Sequence, residues 1–306
     1  MSQANKAPRR IAIAGASGFI GSALARHLEG LGHPVLRIGR GPGEQRVNVE
    51  WQPDDGVLDA TALAGVRVVI NLAGENIGQR WTPDRRRRIL ESRVRSTDVL
   101  ARTCAALDPR PRVLVNMSAV GFYGDRGDEE LDEQSAPGSG FLAGVVRAWE
   151  AAADPARDAG IRVVHPRAGL VLHPGGGALE RLLPIFRLGA GGTIGGGRQW
   201  MSWIGRTDAV RALAWVALHE SLGGPIILAS PNPVRNAEFT VALARALRRT
   251  AIASVPAVAI KFIFGDMGEE TLLAGQRALP RQLLDSGFVF EQPTLEQALA
   301  HELNQA

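Results

Sequence analysis

The segment that most limits how this chain can fold is residues 11–40, IAIAGASGFIGSALARHLEGLGHPVLRIGR. Ile11, Ala12, Ile13 and Ala14 suit a strand buried on both faces. Ile20, Leu24, Leu28 and Leu31 then recur at helical spacing, and Gly32 supplies the stop before a second apolar run. This is a β-α-β unit. Gly15, Gly18 and Gly21 stand three residues apart between strand and helix. The first allows a tight turn, the second lets a pyrophosphate approach the backbone, and the third lets the helix pack close to the strand. The helix N-terminus offers free N–H groups and the positive end of its dipole to an anion. With Ser17, Phe19 and Ile20, this turn is the expected dinucleotide cradle. A glycine turn kept for packing alone is the competing reading.

The second strand ends in Ile38-Gly39-Arg40, with no carboxylate for a ribose 2′-hydroxyl. Arg40, with Arg37 beside it, instead offers a charge-assisted contact to a 2′-phosphate, so the expected cofactor is NADP(H). The competing reading is a surface arginine in an arginine-rich chain. With 306 residues the chain can bury a full core, as one large domain or two joined ones. Its single cysteine, Cys104, excludes an internal disulfide and a cysteine-rich zinc site, and fits core packing. No metal site is expected. Residues 2–10 are polar and basic but precede no apolar run long enough for a signal peptide, and no stretch would span a bilayer. A cytoplasmic protein without a membrane partner is expected. The net charge of +4 is modest, and its densest cluster is Arg85, Arg86, Arg87 and Arg88, with Glu91 in reach along the same helix. Without aromatic interleaving this reads as a solvated or subunit-facing helix, not a nucleic-acid surface.

Along the chain, strands are expected at 47–51, 66–72, 112–117, 161–164 and 225–229. Helices are expected near 58–63 and at 82–107, 138–159 and 207–219, and from Asn236 onward the chain reads as mostly helical, ending with 295–303. The strand at 66–72 ends in Leu72, Ala73 and Gly74, small enough to let a cofactor cross the strand ends. Glycine clusters at 175–177, 189–192 and 195–197 flank an apolar segment, 179–188, and belong in loops over a site. The alternation predicts an α/β fold, a doubly wound parallel sheet.

Several stretches resemble the extended short-chain dehydrogenase/reductases: GASGFIG at 15–21, NLAG at 71–74, NMSAVGFYG at 116–124 and PRAGLVL at 166–172. More narrowly, NLAGENIGQRW at 71–81, GRQWMSWI at 197–204 and LPRQLLDSGFVFEQPTLEQAL at 279–299 resemble the atypical "epimerase family" branch, whose members end in a small domain of unknown function. The resemblance implies a Rossmann domain from 1–168 and 205–232, with a small, mainly helical substrate-side domain from 169–204 and 233–306. It adds Pro166 and Arg167 to the expected cofactor contacts. It also implies a homodimer built on the helices at 82–107 and 138–159, with the apolar residues left over from core packing at a two-fold interface. Gly205 stands where relatives tend to carry histidine.

Ordinary members of this superfamily move a proton with Tyr-x-x-x-Lys and orient the substrate oxygen with serine or threonine. Here the two matching helix positions are Leu142 and Val146, the only lysines are Lys6 and Lys261, and the only tyrosine is Tyr123. Ser118 matches the superfamily serine. Tyr123 is the one available phenol, with Arg126 or the nicotinamide ribose as candidates to lower its pKa; packing at a strand end competes with that role. Asp125 and Glu75 are nearby polar alternatives, and the charges of 125–128 can pair with one another in a turn. Trp81, Trp200, Met201 and Trp203 are candidates to wall a substrate pocket or to pack a domain interface, and Arg198 and Arg206 to meet an anion. Two functions follow: an NADP-dependent oxidoreductase or epimerase acting on an unidentified small carbonyl, hydroxyl or sugar-type substrate, or a silent NADPH-binding regulatory or scaffold protein.

Overall fold

A computed structural model describes residues 7–41 and 47–304 of the chain; the basic start as far as Lys6 lies outside them. The strands are β1 (Ile11–Ala14), β2 (Val35–Gly39), β3 (Val49–Gln52), β4 (Val57–Leu58), β5 (Val68–Asn71), β6 (Val113–Asn116), β7 (Ser118–Ala119), β8 (Glu130–Leu131) and β9 (Arg162–Ala168). Among the described residues they build, without β8 and with Gly224–Leu228, a sheet in the order Gly224–Leu228, β9, β6, β5, β1, β2, β3, β4, while β7 continues beside β9. All pairings are parallel except β3 with β4. The chain runs outward from β1 to β4 and then returns to β5 on the other side of β1. The crossovers therefore diverge at the carboxyl ends of β1 and β5 and leave a crevice there, the place where open α/β sheets bind ligands.

Helices cover both faces: α1 (Gly21–Gly30), α2 (Pro83–Ala106), α3 (Phe141–Ala151), α4 (Asp154–Asp158), α5 (Gly177–Arg187), α6 (Arg206–Leu218), α7 (Asn236–Ala246) and α8 (Ala257–Phe264). Alternation along β1 divides the core. Ile11 and Ile13 face Leu24 and Leu28 of α1 and Leu213 of α6, whereas Ala12 and Ala14 face Leu100 and Cys104 of α2. Each fully buried isoleucine or leucine here contributes roughly 1.5–3 kcal/mol, and each alanine less. A further core, with Leu179, Phe186, Trp203, Phe239, Leu243 and Leu299, joins α5, α7 and the last helix, Leu295–Leu303. The C-terminal region is tied back to the sheet domain where Arg277–Ala278 pairs with β8.

The structure differs from the expected elements in identifiable ways. The helix expected at 138–159 is two helices, because Pro155 has no N–H to continue the ladder and sits in the first turn of α4. The helix expected near 58–63 is the end of β4 and a single 3-10 turn, Ala60–Leu63, capped by Asp59. The apolar segment 179–188 is the body of α5, and it carries Pro184 inside the helix. Glu91 pairs with Arg95 rather than with the arginine cluster, whose members meet Glu75, Asp266 and Asp84. Among the described residues, no large, well-exposed apolar side chain lies on α2 or α3; they include Ile185 and Leu188 at the end of α5 and Val258 and Phe262 on α8. No helix among the described residues is long and apolar enough to cross a membrane.

Candidate functional site

The turn at 15–21 has the geometry its glycines require. Gly15 has φ of 78°, and a Cβ there would lie 3.0 Å from the Leu72 carbonyl carbon. A Cβ on Gly21 would fall 2.1 Å from the Gly15 oxygen, so any side chain would force α1 away from the turn. Ser17 and Gly18 are exposed, and Phe19 and Ile20 half-buried, at the mouth of the crevice. Across it, Leu72 and Ala73 are half-buried and Gly74 is exposed. A buried triangle fixes that second edge: Asn71 Nδ2 donates to Thr97 Oγ1 (3.0 Å) and Asn116 Oδ1 (2.8 Å), and its Oδ1 accepts from Ala73 N (3.1 Å). The crevice is thus lined by backbone and small residues held from below.

Arg40, at the end of β2, is exposed and has no partner among the described residues. Arg37 is engaged with Glu29 at 2.7 Å, which leaves Arg40 as the free guanidinium of the pair. The sequence reading missed a second arginine. Arg93 of α2 lies against Gly74, with Cζ 3.3 Å from the position of a Cβ there, and donates to the carbonyl oxygens of Glu75 and Ile89. Burial lowers its pKa to about 10, so it remains a cation, and no carboxylate lies at ion-pair distance.

Ser118 and Tyr123 lead into a network no motif announced. Ser118 pairs in register with Arg167 across β7 and β9, and its Oγ donates to Glu150 Oε1 at 2.5 Å. Arg167 grips the same carboxylate with Nε and Nη2, both at 2.9 Å, donates from Nη1 to the Tyr123 hydroxyl at 3.0 Å, and stacks 3.4 Å from the Phe122 ring centre. Glu150 lies two turns beyond Leu142 on the face of α3 that also carries Val146. As the only acid in that helix, it was the one signal available. Burial opposes its ionisation, but hydrogen bonds from Arg167 and Ser118, with the nearby positive charges, hold its pKa below the usual range.

Three expectations need correction. Arg167 is 4% exposed and committed to Glu150 and Tyr123, and Pro166 is buried within β9, so neither side chain opens on the crevice. Tyr123 is fully buried; burial pushes its pKa up to about 12 even though Arg167 pulls the other way, and Arg126 pairs with Glu129 instead. The aromatic residues Trp81, Trp200 and Trp203 do not line the cleft described next, nor do Met201 and Arg206.

Past β7 in the chain, Gly121, Gly124 and Leu142 face Gly195, Arg198 and Gln276 across a cleft of about 810 Å³. The C-terminal region closes it: Glu270 accepts from the Phe141 and Leu142 amides (2.9 and 2.8 Å), capping α3, and Asp125 accepts from Gly275 N (3.1 Å). Asp128 meets Arg235 and Trp200, and Lys261 meets Glu269. Arg198 is the charged lining side chain without a partner among the described residues. At Gly205 a Cβ would lie 2.5 Å from Gln292 Oε1, so that amide fills the room a side chain would need.

Burial depresses His165, behind Glu150, and His173, near Phe19, to about 4 from 6.5, so both are neutral at pH 7. Between those values the unfolded chain binds more protons, and stability must fall as pH drops through the window. Thermal melting from pH 7 to 4.5 should show this fall, and His165→Asn should flatten it. A flat wild-type profile would contradict the assignment.

A family model described as the NAD dependent epimerase/dehydratase family matches residues 11–228, and one for a domain of unknown function, DUF1731, matches 255–302. The chain is 44% identical over 292 residues to the epimerase family protein Mb2239 of Mycobacterium bovis, covering 95% of this chain and 96% of that one. It is 34% identical over 294 residues to human epimerase family protein SDR39U1, covering 95% and 98%. A crystal structure of the human protein (isoform 2) with NADPH superposes with a TM-score of 0.88 at 33% identity, covering 97% of this chain and all of that one. A nucleoside-diphosphate sugar epimerase from Corynebacterium glutamicum gives 0.82 at 34% identity, covering 98% and 59%. With its glycine turn, parallel sheet and helical C-terminal region, the chain belongs to the NAD dependent epimerase/dehydratase family, in the branch that ends in DUF1731.

Proposed function

We propose that this protein binds NADP(H) across the glycine turn, and that hydride moves between the nicotinamide and a small substrate held in the 810 Å³ cleft. The observation that carries the reading is a glycine turn that no side chain fits, in a fold that also holds a cleft closed by the C-terminal region and lined by Gly121 and Leu142, just after β7 and at the start of α3. The human relative's complex with NADPH supports the choice of cofactor, as does the free Arg40. Arg93 supplies a half-buried positive charge where the cofactor would cross Gly74. Arg198 fits a substrate with an anionic group.

Ser118 is the candidate to hold the substrate oxygen, although at 2% exposure it is reached only when a ligand opens the strand end that covers it. Its proton lies in the bond to the Glu150 carboxylate, so Oγ accepts from a substrate hydroxyl; as the hydride leaves the carbon, the hydroxyl proton passes to Oγ while the Ser118 proton passes to Glu150. We assign Tyr123 to holding Arg167 rather than to proton transfer. In a screen of NADPH oxidation with carbonyl compounds and of NADP⁺ reduction with alcohols and nucleotide sugars, Ser118→Ala should lower turnover by about 10²-fold. Tyr123→Phe should preserve turnover and cost about 1–3 kcal/mol of stability, because it leaves Arg167 Nη1 unpaired. Full activity in Ser118→Ala, or a large loss in Tyr123→Phe with unchanged melting, would reverse these roles. One observation favours the second reading, binding without turnover: Leu142 and Val146 place nothing that titrates at the positions of the missing Tyr and Lys. Tight NADPH binding with no turnover in either direction would select it.

A further inference from the structure

Around Phe19 the fold gathers donors and positive charge that it leaves unanswered. Arg206 places its Cζ 5.6 Å from the centre of the Phe19 ring and has no ion pair or hydrogen bond among the described residues. It is half-buried, and burial disfavours its charge; Glu302 is the carboxylate that favours it, while Arg26 adds further positive charge. Glu302 Oε1 accepts from the Thr207 amide at 2.8 Å, while its buried Oε2 has no hydrogen-bond partner among the described residues and makes no ion pair with Arg206. Glu302 therefore offsets the Arg206 charge only at a distance, without a direct ion pair, and the half-buried guanidinium keeps its donors for an anion.

His173 stands against the same phenylalanine, with ring centres 5.9 Å apart, and is only 6% exposed. Its Nδ1 accepts from Gly175 N at 2.9 Å, which fixes the tautomer and puts the ring proton on Nε2. That buried nitrogen has no partner, and buried donors are nearly always paired. With its pKa depressed by burial and by Arg206, the ring serves as a neutral donor.

Two helix N-termini meet at the same place. Helix α1 begins two residues after Phe19, with no side-chain cap and no acid in its first turn. Helix α5 begins beside the ring: a Cβ on Gly176 would lie 2.3 Å from Phe19, so only glycine lets this end approach so closely. It too has no side-chain cap, though Glu180 lies in its first turn.

We infer that His173 Nε2, the Arg206 guanidinium and the Gly21 and Ala23 amides at the start of α1, where Ser22 N is already taken by the Gly18 carbonyl, form a binding site for a phosphate oxyanion beside Phe19. The chemistry is shared by two sources: the diphosphate of a dinucleotide lying on the turn at 15–21, which rests on the function proposed above, and inorganic phosphate, which does not. Either way the site is distinct from Arg40 at the end of β2 and from Ser118 in the crevice.

Calorimetric titration of the full chain with NADPH, NADH and inorganic phosphate tests this in wild type, Arg206→Gln, Arg206→Lys and His173→Phe, with thermal melting as a control on folding. If the diphosphate occupies the site, Arg206→Gln and His173→Phe weaken NADPH and NADH equally, by about tenfold or more, and Arg206→Lys recovers most of the loss. If inorganic phosphate is the ligand, wild type binds it saturably, Arg206→Gln abolishes that binding, and nucleotide affinity stays unchanged. Phosphate binding that depends on Arg206 in a protein that binds neither nucleotide would sink the dinucleotide reading and keep the site. The inference is overturned if every variant matches wild type for all three ligands, or if wild type binds none of them.

Discussion

Glu150→Ala is expected to destabilise the protein by about 3–5 kcal/mol, the usual cost of removing one partner of a buried ion pair. The Arg167 side chain is 5% exposed and would be left as a nearly inaccessible cation, having lost two hydrogen bonds, while Ser118 loses its acceptor. With about 2–4 °C per kcal/mol, the melting temperature should fall by roughly 6–20 °C. Replacing both partners with leucine should cost less than Glu150→Ala alone, because the desolvated charge is then absent. Melting curves for Glu150→Ala, Arg167→Leu and the double variant decide it. A single-variant shift of a degree or two would show that water reaches the pair and that the network is not a buried one. The result also bears on chemistry: freed from Glu150, Ser118 can donate its proton, so Glu150→Gln in a protein that still folds should shift its preference toward carbonyl ligands.

Arg40→Ala is expected to weaken NADPH by about tenfold or more and to leave NADH nearly unchanged. A charge-assisted contact to a phosphate is worth about 1.5–3 kcal/mol, and only NADPH carries the 2′-phosphate. Arg37→Ala should do much less, because that guanidinium is already paired with Glu29. Fluorescence titration with both cofactors separates the outcomes, and an equal loss for both would show that Arg40 does not read the phosphate. Loss for both is instead the signature expected of Arg206 and His173 if the diphosphate lies beside Phe19, so the two sites can be told apart in one set of measurements.

The parts of the fold that were legible in the sequence are those set by local periodicity and by glycine. β1, β5 and β6 read as buried strands because nearly every residue in them is apolar, and α1 read as a helix because Leu24 and Leu28 return on one face. The break before Pro155 is equally local, a proline inside the stretch 138–159 that its apolar stripe marks as one helix. Arg93 and Glu150 were illegible for another reason: each is one polar residue on a long helix, and nothing in the neighbouring sequence says that one will meet Gly74 and the other Ser118.

By itself the sequence determined that a β-α-β unit would form, that Gly15, Gly18 and Gly21 would shape its turn, that Arg40 would stand where an acid is absent, and that no Tyr-x-x-x-Lys pair could be assembled. These follow from residue type and from spacings of a few positions, which the backbone converts directly into geometry. Only the tertiary structure decided what the charged and titrating groups do. Tyr123 and Arg167 looked like site residues and are buried in mutual contact, whereas Arg206 and His173, far apart from Phe19 in sequence, converge on it. A side chain's pKa and its freedom to bind depend on desolvation and on charges a few ångströms away, and those neighbours come from strands and helices that only the folded sheet brings together.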